Sequence, residues 1–297
     1  MKIWRQFLCC VRCGGPLAGE LEHLVCEACA ARYGASPSGV PILMTPEDQI
    51  RFREVLSRDD GISMKEQYTR RTTKRHRESL LRKLYPPEPV YVNPLAPPLP
   101  QPKGSLSLWL GGAGLDLPGF VNLDLVPVRG VDLLANAARL PFRSNCCDSI
   151  ACLALLEHVP DSEQVVSEML RVLKPQGEVQ AVVPFCHPYH GYPTDYSRFS
   201  REGLMKLFAG YDDVRIGIRT GPTTTILTFL TYYAKLIFPV HGGIAPVRWF
   251  NRIVVGAAGW LMAPLKYIDI VLNKSPNAHV LANHLYVTAR KPANASH

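Results

Sequence analysis

The chain has 297 residues, 47% of them apolar, which is enough for one α/β domain of ordinary size plus a small satellite and excludes a disordered tail. Its net charge is +8, but most of that comes from eight cations against two acids between Lys65 and Lys83, so the remainder is nearly neutral. Nine cysteines would suit a secreted disulfide scaffold only behind a signal peptide, and Met1–Val11 has no apolar run of that length, so the expected compartment is the reducing cytoplasm.

In chain order, the first module is Cys10-Val-Arg-Cys13 and Cys26-Glu-Ala-Cys29, with twelve residues between the pairs. Each turn aims two sulfurs at one point, so Cys10, Cys13, Cys26 and Cys29 form a candidate tetrahedral Zn2+ site. A module of about 45 residues buries too little surface to fold alone, and metal binding supplies the difference. Cys9 breaks the spacing and reads as a bystander, and His23 as a loop residue. The following stretch, Arg32-Tyr-Gly-Ala-Ser-Pro-Ser-Gly-Val-Pro-Ile-Leu-Met44, is similar to the strand that closes the zinc ribbons of the small methyltransferase-activator family. That resemblance implies a ribbon fold over residues 1–45.

Residues 46–104 read as a charged, helix-compatible stretch followed by a stiff Pro-rich linker, because eight prolines from Pro86 to Pro102 forbid a helix or a central strand. The basic block within it suits either a solvated helix or a phosphate-bearing partner, RNA or lipid.

Beyond Ser105, apolar runs alternate with helical patterns. Candidate strands are Leu106–Leu110, Phe120–Leu125, Asp148–Leu155, Val179–Pro184, Val214–Ile218 and His284–Arg290, with helices near Glu163–Leu173 and Arg201–Phe208. This alternation predicts an α/β, Rossmann-like sheet over 105–297. Leu108-Trp-Leu-Gly111-Gly-Ala-Gly114 is a buried strand running into a glycine turn, and Asp124 ends the next strand, where a carboxylate in such a sheet meets a ribose.

The run Leu140-Pro-Phe142, Asp148, Leu156-Glu157-His158, Asp161 and Arg171-Val-Leu-Lys174-Pro-Gln-Gly177 closely resembles the type 11 class I methyltransferases. The resemblance implies a mostly parallel sheet whose last strand is antiparallel, and S-adenosyl-L-methionine (SAM) as cofactor. It also implies that Gly111 and Gly114 line the methionine portion, that Asp124 binds the ribose, and that Asn136 to Leu140 lie beside the adenine. Two positions depart from the family, Trp109 and Asn136, both of which replace acids. An asparagine carbonyl still accepts from an amine, whereas Trp109 accepts nothing.

His158 falls where the fourth strand meets the cofactor crevice, either as a proton acceptor or as a loop-ordering residue. His187, His190, Asp195 and Tyr196 are further catalytic candidates, on a loop that resembles a substrate-edge segment of bacterial methyltransferases acting on glycans and other small acceptors. The insertion 222–283 carries Ile226, Phe229, Leu230, Tyr233 and Ile237, then Phe250, Ile253, Val254, Ala257, Leu261, Leu265, Ile268 and Leu272, at helical spacing. Such stripes ordinarily pack on their domain; the alternative is an interfacial lid at a membrane surface. The expected function is methyl transfer to a small-molecule acceptor, a glycan or lipid-linked intermediate. The alternatives are RNA methylation and a non-catalytic scaffold with a decayed SAM site.

Overall fold

The structure, a computed structural model, describes residues 3–57, 89–112, 117–127, 130–191, 194–240 and 243–294. The basic block and Gly114 lie outside the described residues.

The ribbon strands β1 (Leu17–Glu20), β2 (His23–Cys26) and β3 (Arg32–Tyr33) form a small antiparallel sheet. A fourth strand, β4 (Ile42–Leu43), leaves that sheet and joins the large one. The other members of the large sheet are β5 (Ser107–Leu110), β6 (Val121–Asp124), β7 (Leu133–Ala135), β8 (Cys147–Leu153), β9 (Leu173–Pro184), β10 (Asp212–Thr220) and β11 (His284–Arg290).

Its order is β10-β11-β9-β8-β5-β6-β7-β4, with β11 antiparallel to both neighbours and every other pairing parallel. The expected fold class is therefore present, with one addition at the edge. Ile42 pairs with Leu134 and Leu43 with Ala135, so the closing strand of the ribbon lengthens the sheet. Parallel strands covered on both faces are continuously apolar, and β5 and β7 are buried at every residue.

The helices follow local signals. In α1 (Pro46–Ser57), Glu47 and Asp48 occupy the first turn, where carboxylates complement the helix dipole. Asp161 caps α2 (Ser162–Val172) by accepting from the Gln164 N–H, and α2 buries Val165, Val166, Met169 and Val172. Ser200 caps α3 (Arg201–Leu207) in the same way. Trp4, Leu8, Leu24, Tyr33 and Leu43 share one hydrophobic cluster with the central strands, so the ribbon and the α/β domain have a common core. The N-terminal segment pairs with the Leu140-Pro-Phe142 run, Cys9 N–H donating to Pro141 O and Arg143 N–H to Phe7 O. On the opposite edge of the sheet, the Pro-rich segment lies against β10, through Asn93 N–H to Arg219 O and Asn93 Nδ2 to Ile218 O.

The insertion departs from the expectation of a packed apolar stripe. Helix α4 (Pro222–Ile237) turns its threonines inward: Thr224, Thr225 and Thr228 are buried, while Ile226, Phe229, Leu230, Tyr233 and Ile237 are exposed. Specific polar bonds select this orientation. Asp269, fully buried, accepts from Thr223 N–H, Thr224 N–H and Thr224 Oγ1, and Thr225 Oγ1 donates to Leu281 O at 2.6 Å. Helix α5 (Ala245–Met262) likewise buries only Asn251, whose Nδ2 donates to Pro239 O. Among the described residues, one helical segment, Ala245–Leu272, is long and apolar enough to cross a membrane.

Candidate active site

The C-terminal ends of β5, β6, β8 and β9 open onto one edge of the sheet, where ligands of such folds bind. Gly111 follows β5 with φ +70°, a left-handed conformation that favours glycine. A Cβ there would sit 3.1 Å from Leu155 Cδ1, and one on Gly112 would collide with the Asn122 side chain at 2.2 Å. The turn thus brings the backbone of the glycine loop against the segment that leads into Glu157.

Asp124 ends β6, and its Oδ1 accepts the N–H groups of Leu125 and Val126 at 2.6 and 3.2 Å. Those bonds fix the carboxylate at the mouth of the crevice, where a ribose would meet it. Asn136 is held at both ends, its Oδ1 accepting from Ala138 N–H and its Nδ2 donating to Asp48 Oδ1, each at 2.9 Å. Asp48, on α1, therefore brings a carboxylate beside the position where the family sequence carries one. Leu140 has its side chain in the core, with its N–H donating to Glu168 and its carbonyl accepting from Arg171. Trp109 is buried edge-on against Phe120, ring centroids 6.2 Å apart. Asp124 stands where the resemblance puts a ribose and the glycine turn where it puts the methionine portion, while Trp109 offers no acceptor to an amino group.

Beside this crevice four imidazoles meet. Ring centroids are 4.9 Å apart for His158 and His190, 4.6 Å for His187 and His190, and 5.2 Å for His187 and His284. His158 follows β8 in a short 3-10 turn, Leu156–His158, with its Nδ1 on the Thr194 carbonyl. His187 places Nδ1 on Pro188 O at 2.7 Å, and burial lowers its pKa. Burial and the neighbouring His187, His190 and Arg198 push His284 down to about 3.

Glu157 lies fully buried beneath the ring pair, its Oε1 3.7 Å from both His158 Nε2 and His190 Nε2. Among the described residues, neither carboxylate oxygen has a hydrogen-bond partner. Asp195 is engaged instead: its Oδ2 accepts from His190 N–H at 2.8 Å and from Arg198 at 2.6 Å. Burial opposes its ionisation, but Arg198 and the His190 N–H hold the carboxyl down at about 2. Arg198 also donates to the carbonyls of His187, Pro188 and Ser197, stapling the loop. Tyr196 is half exposed, anchored by its N–H to Glu157 O.

Sequence reasoning had brought His158, His187, His190, Asp195 and Tyr196 to one edge, and they do gather there. It missed Asp48, Arg198 and His284. The first and last reach the site from opposite ends of the chain, so no local spacing signals them; Arg198 stands three residues from Asp195, a pairing visible only once the loop is known to curl.

At the ribbon end, Cys10 Sγ lies 3.6 Å from Cys29 Sγ and Cys13 Sγ 3.5 Å from Cys26 Sγ, with all four sulfurs within 4.8 Å of one another. Four thiolates at about 2.3 Å from a tetrahedral Zn2+ stand about 3.8 Å apart, so the cluster has the dimensions of such a site. Cys9 stands outside it, its thiol pushed up to about 11 by burial.

No curated protein gives a significant match to this sequence. Residues 121–180 match the family described as "Methyltransferase domain". Among solved structures, Haemonchus contortus phosphoethanolamine N-methyltransferase 2 in complex with SAM is similar at 16% identity and TM-score 0.38, over 65% of this chain and 50% of that one. The chain thus spans about half the length of that enzyme. An Archaeoglobus fulgidus SAM-dependent methyltransferase is similar at 15% identity and TM-score 0.36, over 62% and 85%. A complex of the Haloferax volcanii Trm112 methyltransferase activator with a methyltransferase matches at 16% identity and TM-score 0.40, over 65% and 85%. The family match runs from the start of β6 into β9, on the central part of the large sheet.

Proposed function

We propose that the protein transfers a methyl group from SAM to a small, oxygen-bearing acceptor, with a Zn2+ ion holding the four-cysteine ribbon. The observation that carries this reading is the convergence of the glycine turn, Asp124 and the histidine cluster on one edge of the sheet. SAM, when bound, supplies an activated methyl group. The chain has then to orient the acceptor and take up its proton, and alignment alone removes a large part of such a barrier. His187, neutral through burial, is suited to proton acceptance, while Asp195 and Arg198 hold the loop that carries it.

Calorimetric titration of the zinc-loaded protein with S-adenosylhomocysteine tests the cofactor reading. Micromolar binding that Asp124→Ala weakens at least tenfold is expected; no binding by folded wild type would instead favour a scaffold whose cofactor site Trp109 has closed.

The insertion supports a site of action at a lipid surface, with the protein peripheral to the bilayer. Residues 222–283 carry Lys235, Arg248, Arg252, Lys266 and Lys274, and their sole acid, Asp269, is buried beneath α4. A net cationic segment that exposes Trp249, Trp260, Leu236 and Leu261 suits anionic headgroups over an apolar interior. This arrangement favours a lipid-linked acceptor over RNA.

A further inference from the structure

Glu157 poses a physical problem that methyl transfer alone does not answer. A carboxylate removed from water without hydrogen bonds is costly, and Glu157 is fully buried with neither oxygen hydrogen-bonded among the described residues. What faces it is a pair of imidazole nitrogens, His158 Nε2 and His190 Nε2, each 3.7 Å from the same oxygen. That is too long for a good hydrogen bond, yet close to the separation of about 3.4 Å that a tetrahedral ion with 2.0–2.2 Å bonds imposes on two nitrogen or oxygen ligands.

The other face of each ring is arranged to match. His158 Nδ1 donates to the Thr194 carbonyl, which leaves Nε2 as the lone-pair nitrogen turned toward Glu157. His190 Nδ1 faces the Asp195 carboxylate at 3.5 Å, while Nε2 faces Glu157. The Thr194 carbonyl behind His158 fixes its tautomer and raises its basicity, the usual outer shell of a histidine metal site. Arg198 Nη2, a donor, lies at the same 3.5 Å from His190 Nδ1, and its charge is taken up by Asp195.

We infer that Glu157, His158 and His190 form a second metal site, distinct from the cysteine cluster, for a divalent cation of the zinc class. The three side-chain atoms lie within 4.8 Å of one another. Imidazole and carboxylate together suit Zn2+ and its neighbours, and three protein ligands leave a coordination position open. His158 and His190 are partly exposed, so the open position faces the crevice and takes an oxygen donor, a hydroxyl or carboxylate of a small molecule. A hydroxyl bound there loses its proton more readily, as zinc-bound water does. Metal binding stands independently of the cofactor; only the identification of that oxygen with the methyl acceptor rests on the function proposed above.

The test is titration of the metal-stripped full-length protein with Co2+, followed by absorption. Wild type is expected to take up two equivalents, one with intense thiolate-to-cobalt charge-transfer bands from the cysteines and one with only weak visible bands. His158→Ala and His190→Ala should each weaken the second by at least a hundredfold and leave the thiolate bands intact, and Asp195→Asn should weaken it by about 10- to 100-fold. The intact thiolate spectrum serves as the internal control for folding. A single thiolate-type equivalent in wild type, or a second equivalent retained within threefold in both histidine variants, overturns the site. If the second equivalent binds while S-adenosylhomocysteine does not, the metal site stands and the methyl-transfer reading falls.

Discussion

At the scale of single residues, the site depends on groups that hold other groups. Asp195 is the clearest case. Its folded pKa, about 2, lies below that of a free carboxyl, so its contribution is fully present above the unfolded value near 3.8 and is lost as pH falls toward 2. Asp195→Asn should therefore lower stability at neutral pH by at most about 2 kcal/mol. The gap between variant and wild type should stay constant from pH 5 to 8 and close below pH 4; thermal melts across that range give the answer, and a gap that widens on acidification would count against the ion pair. Residues of this kind divide sharply in their legibility. The places of Asp124 and Gly111 at strand ends could be read because each belongs to a short strand-and-turn pattern. Asp48 could not, since its carboxylate reaches Asn136 from a helix far upstream. His284 opens the last strand, among residues whose alternation says only that they belong to a sheet.

At the scale of elements, most strands and α2 of the α/β domain fell close to where apolar runs and helix caps put them, because burial on both faces leaves parallel strands little freedom. The three-residue β7 had no candidate, β9 begins at Leu173, ahead of its apolar run, and two further features escaped. The two-residue strand β4 is too short for any periodicity, and nothing in Ile42-Leu43 announces that it pairs with β7 rather than within the ribbon. The insertion helices escaped for the opposite reason: their apolar stripe is plain, but its direction was set by Asp269 and three threonines, which pull the polar face inward. Since Leu43 is fully buried where ribbon and sheet meet, Leu43→Ala should cost about 2–5 kcal/mol. Urea unfolding followed at both ends of the chain should show one shifted transition; loss of ribbon signal alone, with the sheet unaffected, would mean that the shared core does not couple them.

At the scale of the whole molecule, the outstanding property is the apolar surface of 222–283, which includes Leu261 at 81% and Leu236 at 78% exposure. Isolated exposed apolar residues are ordinary, but contiguous ones mark a partner or a membrane. Flotation with phosphatidylcholine vesicles, with and without a quarter phosphatidylglycerol, should show binding that is stronger on the anionic vesicles and weakened by salt. Leu261→Glu combined with Trp249→Glu should reduce it at least tenfold; equal recovery of wild type and variant in the lipid fraction would exclude this face. The other end of the molecule bears on how the protein is made. The edge strand contributed by Ile42 and Leu43 leaves the ribosome about 90 residues before its partner Leu134. At about 5–20 residues per second, the nascent ribbon waits some 5–20 s with that strand unpaired. Whether the cysteines capture their ion during this interval decides whether the sheet, when it forms, finds a finished edge to close against.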